Sequence, residues 1–537
     1  MDAGTAPGVA GSTFSFHATN VELRYTPHAK GHPSGSIFSS MAITRKDALQ
    51  NLSFGQRVAE EEVKDLARYF VETEQWRRIS SGEIDVVYGP KGSGKSALYA
   101  LLLDRVDSFF DRDIVMVSGE NPRGATVFKD LVDDPPTSER EFINLWKLYF
   151  LSLIGGVLRE YAADSAPGRE VVSALTEAHL LTPETGLKGL LRAVVEYVRR
   201  FPNTLEGELK LDPISGSPTG VGGKITFREP QLEDAKKGQI SVDSLFESAN
   251  RALAELPLTV WVLMDRLDVA FAESPNLEAN ALRALFKVYL DLLGREQVRI
   301  KIFLRTDIWG RITRDQGFRE ASHITRHITI KWDRPSLTNL AIRRAVQSPT
   351  LLNYVSIEKE AALGDGQPAF LDRLFPDQVE VGPNKPKTSF DWILGRTSDG
   401  TGQNAPRELI HFLNATRDEE IKRLELGNVD TESQTVFSRT AIKNALPEVS
   451  KVRLEQTLFA EYPDLRPYVL KLEREKTLQH PESLAGHWGI SDEKAILVAE
   501  QLVEVGFFER RGSKESPEYW VPFLYRPALS MVQGAAE

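Results

Sequence analysis

The residues best able to do chemistry stand in one octamer, Gly89-Pro90-Lys91-Gly92-Ser93-Gly94-Lys95-Ser96, with Ala97 following. Gly89, Gly92 and Gly94 permit backbone conformations closed to residues with a Cβ, so successive N–H groups can turn inward around a phosphate. A helix starting after Gly94 adds its positive dipole end at the same spot. Lys95 can reach the β and γ phosphates of a bound nucleotide, and the Ser96 hydroxyl suits a Mg²⁺ ligand. A chance glycine-rich turn is the plain alternative. The flanks weigh against it: an apolar run, Ile84 to Tyr88, leads in, and Leu98, Leu101 and Leu102 follow at helical spacing.

Such a loop needs a carboxylate to hold the metal and a group to orient water. Leu258 to Met264 is a near-continuous apolar run that reads as a strand buried on both faces, and it ends in Asp265. Asp265 is thus the expected second metal ligand beside Ser96. Arg266 follows it, so the nearest further acid is Asp268, either a water-positioning group or a helix N-cap. With no glutamate after Asp265, slow turnover is expected, as in a switch. A second apolar strand from Val298 ends at Arg305 and Thr306, which could sense a γ-phosphate or be ordinary surface residues. Arg407 falls in the first turn of an amphipathic helix, where the dipole opposes a cation. A phosphate contact or a structural salt bridge would offset that conflict.

Strands alternating with helical segments predict a doubly wound parallel sheet, with ligand beyond the carboxyl ends of its strands. The expected fold is α/β in four parts. Residues 1–45, rich in Gly, Ser, Ala, Pro and Thr, read as a poorly ordered tail, with Met41 a candidate start. Residues 46–335 form the P-loop core, with a hairpin-like insertion at about 203–240. Residues 336–430 form a helical lid with a loop from Asp365 to Lys387, and 431–537 a winged-helix domain. In the last, two helices (Ser483 to Trp488 and Asp492 to Val505) precede a strand, a turn and a strand. Its second helix carries Asp492, Glu493, Glu500 and Glu504 against Lys494, a surface that repels duplex. Only Arg510, Arg511 and Lys514 in the wing could touch phosphate.

Bulk properties narrow the field. At 537 residues several cores are expected, and a net charge of −10 gives no general nucleic-acid footprint. Cysteine is absent, so no disulfide or thiolate metal site can form. The apolar stretch from Leu148 to Leu158 is broken by Ser152 and Gly155-Gly156, and no signal-peptide pattern opens the chain. A cytoplasmic protein with no membrane partner is the expectation. The nine histidines lie scattered, and no nuclease, protease or deaminase constellation is seen.

With these residues in order, the chain resembles the STAND and origin-recognition-type AAA+ P-loop ATPases. It looks most like a bacterial group of P-loop ATPases from phage-defence and other conflict loci. Phe54-Gly55-Gln56-Arg57, ahead of Glu60 to Glu62, is similar to the box that packs near the adenine in that family. Asp265-x-x-Asp268 is similar to its metal-binding segment, Arg305-Thr306 to its sensor strand, and Pro406-Arg407 to its lid arginine. The resemblance implies ATP with Mg²⁺, hydrolysis, homo-oligomers with Arg311, Arg314 or Arg319 reaching a neighbour, and a separate effector protein in antiviral defence. The alternative it implies is a DNA-binding initiator- or loader-like ATPase.

Overall fold

The computed structural model describes residues 43–56, 70, 73–120, 128, 138–181, 186–199, 225–267, 275–314, 317–427 and 434–536. The sheet at its centre is built from β1 (Val86–Gly89), β2 (Ile114–Ser118), β5 (Thr259–Met264), β6 (Val298–Arg305) and β7 (His327–Thr329); two short strands, β3 (Ile225–Thr226) and β4 (Ile240–Ser241), pair apart from it. All five central strands run parallel in the order β2-β5-β6-β1-β7. Their continuous apolar sequence is explained by cover on both faces. Val86, Val260, Met264, Ile302 and Leu304 pack into one core, whereas Val87, Trp261, Leu263 and Phe303 pack into another on the opposite face. The expected doubly wound parallel sheet is present.

The first core is covered by three long helices, Glu139–Tyr161, Val242–Glu255 and Pro275–Leu292. Helix Glu139–Tyr161 is long and apolar enough to cross a membrane by length and composition, yet Trp146, Tyr149, Phe150 and Ile154 are all buried inside the fold. Ser138 caps its first turn, accepting from Glu141 N at 3.2 Å. Of the two glycines that interrupt its apolar run, Gly155 is required by packing: a Cβ there would collide with Leu175 of the neighbouring helix.

One expectation fails in its described part. Residues 203–224 lie outside the described residues, but β3 and β4 pair in parallel around helix Leu232–Lys236. A hairpin would set them antiparallel; a parallel pair needs a crossover, and the helix supplies it.

Beyond the sheet, Leu337, Phe370, Leu409 and Phe412 share one apolar core with Trp488, Leu502, Tyr519 and Leu529, so lid and C-terminal module are not separately packed. Phe54 and Leu49, from the N-terminal side of the P-loop, are buried in the same core. The expected lid loop also contains a helix, Gln367–Leu374, which buries Phe370 and Leu374. In the C-terminal module, helices Pro481–Trp488 and Asp492–Glu504 lie against β8 (Lys476–Gln479), β9 (Glu509–Gly512), β10 (Pro517–Trp520) and β11 (Val532–Ala535), in sheet order β11-β8-β10-β9. That is the expected winged-helix order. Gly489, at φ 70°, ends the first helix and makes the turn possible.

Candidate functional site

The octamer forms a strand–loop–helix. Gly89 ends β1, and helix Lys95–Asp104 starts after Gly94. Gly92 and Gly94 have φ of 79° and 95°, a region that side chains with a Cβ rarely adopt. Gly89 is required for space as well, since a Cβ there would run into the Ser93 hydroxyl. Ser93 N donates to Pro90 O at 3.2 Å, and the Trp332 indole donates to Ser93 O at 2.8 Å, pinning the loop from outside. The Lys95 ammonium donates to Gly89 O at 2.8 Å and Pro90 O at 2.9 Å, which holds it over the mouth of the loop. Ser96 and Ala97 occupy the first turn, half-buried.

Sheet register fixes what faces this loop. Gly89 and Arg305 are partners across β1 and β6, so Arg305 stands beside the loop's first residue. β6 separates β1 from β5, which places the end of β5 about 10 Å to the side, two strand spacings away. Asp265 follows β5 and is 3 % exposed. The next residue, Arg266, has φ 57°, a strained left-handed turn at the end of that strand. Tyr99 of the P-loop helix is held well above the usual phenol range, chiefly by burial, with the charges of Asp265 and Glu120 acting in the same direction. Trp261 and Leu263 pack in one core with Leu98 and Leu101 of the P-loop helix, and strand alternation puts Asp265 on that same face.

The donor set fits Mg²⁺. A serine hydroxyl and a carboxylate are hard oxygen donors, and no three acidic or histidine side chains gather into a metal cluster among the described residues. Mg²⁺ characteristically takes one or two protein oxygens and completes its shell with phosphate and water.

Arg407 opens helix Pro406–Glu425 and reaches the loop: a Cβ on Gly92 would lie 3.2 Å from the Arg407 Cβ. Its Nε is buried without a hydrogen-bond partner among the described residues. A guanidinium donor is thus left unmet beside the glycine-rich loop. The Phe54-Gly55 segment is tied to the same helix, since Asn414 accepts from Phe54 N at 3.2 Å and donates to Gly55 O at 2.8 Å. Arg57 and Asp268 lie outside the described residues.

Arg305 is neither an idle surface group nor open to the loop. Its Nη2 lies 2.7 Å from Asp307 and 2.6 Å from Glu461, and the Tyr462 hydroxyl donates to Asp307 at 2.9 Å. Burial alone would raise Asp307, but the guanidinium and that hydroxyl outweigh it and hold its carboxyl below the usual range. Glu461 also pairs with Lys91 of the P-loop. Thr306 begins the next helix, Thr306–Arg314, with its side chain exposed.

Glu461 and Glu120 were not visible as site residues from sequence. Glu461 sits in an unremarkable helical stretch, and its partner Arg305 is 156 positions away. Glu120 follows β2 and is fully buried, with its carbonyl accepting from the Tyr99 hydroxyl at 2.8 Å. A polar residue just past an apolar strand was the one signal available for it.

At the end of the acidic helix of the winged module, exposed Glu504 pairs with exposed Arg314 at 2.6 Å. In the wing, Arg510 pairs with Glu500 at 3.4 Å, and Arg511 with Glu509 at 2.8 Å while lying 3.9 Å over the Trp520 ring. Arg311 pairs with Glu278, whereas Arg319 is exposed.

No family model matches the sequence, and no curated protein matches it. Among solved structures it is similar to the ORC1 protein of Aeropyrum pernix, in complex with DNA, at 13 % identity and TM-score 0.35, over 88 % of this chain and 96 % of that one. A Walker-type ATPase of Pyrococcus abyssi shares 12 % identity at TM-score 0.36, over 86 % of this chain and 95 % of that one. The A. pernix ORC2 protein shares 11 % identity at TM-score 0.28, over 88 % and 93 %. At such values nothing about activity transfers, and the functional reading rests on this chain's own residues.

Proposed function

We propose that the chain is a Mg²⁺-dependent ATPase that works as a switch, its C-terminal module registering what the P-loop holds. The observation that carries this is Glu461, a carboxylate of that module paired with both Lys91 of the loop and Arg305 of the neighbouring strand. Backbone N–H groups of Gly92 to Lys95 bind the phosphates, with Lys95 neutralising the β and γ groups. Ser96 and Asp265 hold the metal, which when bound screens the charge developing on the transferred phosphoryl group. Arg407 closes the lid side against the γ-phosphate. A triphosphate competes with Glu461 for Lys91 and Arg305, so its arrival loosens the module and hydrolysis restores the contact.

The test is phosphate release together with backbone hydrogen exchange at Phe459 to Tyr462. ATP with Mg²⁺ should speed exchange there in the parent and leave Lys95→Ala unchanged. Unaltered turnover in Lys95→Ala would reject the assignment.

As settings for the switch, antiviral defence with a separate effector rests on motif order alone. A duplex-engaging, initiator-like ATPase has the folded winged-helix module in its favour. Engagement would require Glu504 to leave Arg314 and the wing arginines to exchange partners. ATP-dependent duplex binding, steep in salt and lost on changing Arg510 and Arg511 to Ala, is its signature.

A further inference from the structure

β1 and β6 begin at the end of the sheet remote from the P-loop, beside a cavity of about 410 Å³. Arg295, Arg299 and Arg326 line it, with Asp85 on its wall and Glu296 exposed at its rim. Lys301 lies behind the wall, 1 % exposed, 4.1 Å from the Trp261 ring centre. Asp85 is the one buried acid in the group. Its two oxygens are taken by Lys301 at 2.9 Å and by Arg326 Nε at 2.8 Å.

Arg299 donates to Gly82 O at 2.7 Å and has no carboxylate within ion-pair distance among the described residues. Arg295 is paired outward with Glu247 at 3.0 Å. Around the inner wall, three cations (Arg299, Lys301 and Arg326) thus face one carboxylate. Surplus positive charge in a partly dry site is unfavourable without a counter-charge. Its effect is visible in Lys301, which burial lowers to about 8, with Arg299 and Arg326 pushing the same way against the pull of Asp85. Arg299 is lowered likewise, by burial first and then by Arg326.

We propose that this cavity is a second ligand site, separate from the P-loop, that takes a compact dianion bearing phosphate or carboxylate groups. Arg299 and Arg326 grip the anionic groups. Guanidinium forks match the paired oxygens of either group, and each keeps N–H donors beyond the carbonyl of Gly82. Leu292 and Val298 in the wall offer an apolar seat to a short carbon skeleton. The volume falls within the range of small-molecule sites. The distance from the P-loop is about one strand, Asp85 to Gly89, or roughly 13 Å.

The test uses the full chain carrying Lys95→Ala, which weakens phosphate binding at the P-loop, so that the effect of Arg299→Gln reports the second site. Pyrophosphate and malonate are the probes. A saturating probe should raise the melting midpoint by about 2 °C, and adding Arg299→Gln should remove the rise. A response to pyrophosphate alone assigns a phosphate ligand, and a response to malonate alone a dicarboxylate. No rise with either probe, or a rise that survives Arg299→Gln, overturns the proposal. Calorimetric titration of the Lys95→Ala protein gives a second measure: a saturable site per chain that Arg299→Gln abolishes supports it, and absence of heat with both probes refutes it.

Discussion

Arg305 and Glu461 meet at 2.6 Å, joining the strand beside the P-loop to the C-terminal module. Both side chains are only 14 % exposed, so the pair is better shielded from solvent than a surface bridge. Glu461→Gln leaves the shape and removes the charge. Its expected effect is a fall in KM for ATP of up to about tenfold, since the nucleotide no longer displaces an anion. Steady-state phosphate release measures this, and an unchanged or higher KM would show that Glu461 is only a structural link.

Arg407→Ala removes the guanidinium of a side chain whose aliphatic stem packs beside Gly92. The expected outcome is a KM for ATP raised by about tenfold or more, the value of one charge-assisted contact, with the melting midpoint little changed. If Arg407 instead serves packing, stability falls and KM stays.

Asp265→Asn keeps the size of the buried side chain and removes its charge. Hydrolysis should drop on the order of 100-fold, while ATP still binds without metal. Fluorescence titration of nucleotide with and without Mg²⁺ separates the two, because only the Mg²⁺-dependent gain in affinity should vanish. The Trp332 indole, bonded to Ser93 O, is a natural reporter for it.

The Arg305–Asp307–Tyr462 cluster has a defined pH window. Asp307 titrates below its unfolded value, near 3.9. The unfolded chain therefore binds a proton there first as pH falls. The stability it contributes is full above about pH 4 and is lost as pH drops through the folded value. Denaturation midpoints of the parent and Asp307→Asn should differ at pH 6 and converge towards pH 3. A difference independent of pH would show that the carboxylate acts through packing and not through charge.

Much of the site could be read in the chain because its chemistry is local. Gly89 to Ser96 carry their own conformational instructions, and the apolar runs ending at Asp265 and Arg305 are dictated by burial on both faces. The winged module was legible for the same reason, from helix spacing, Gly489 and a short strand pair. The insertion misled because two-residue strands leave no periodicity, and their direction depends on the helix between them.

Sequence alone therefore determined the glycine-rich strand–loop–helix and the acid that follows β5, since each is written within a dozen consecutive residues. Only the tertiary structure decided that Glu461 meets Lys91 and Arg305, that Arg407 rests on Gly92, and that three cations surround Asp85. Those encounters join residues scores to hundreds of positions apart. They are set by which strand lies beside which and by the core shared between lid and winged helix, quantities that no local pattern encodes.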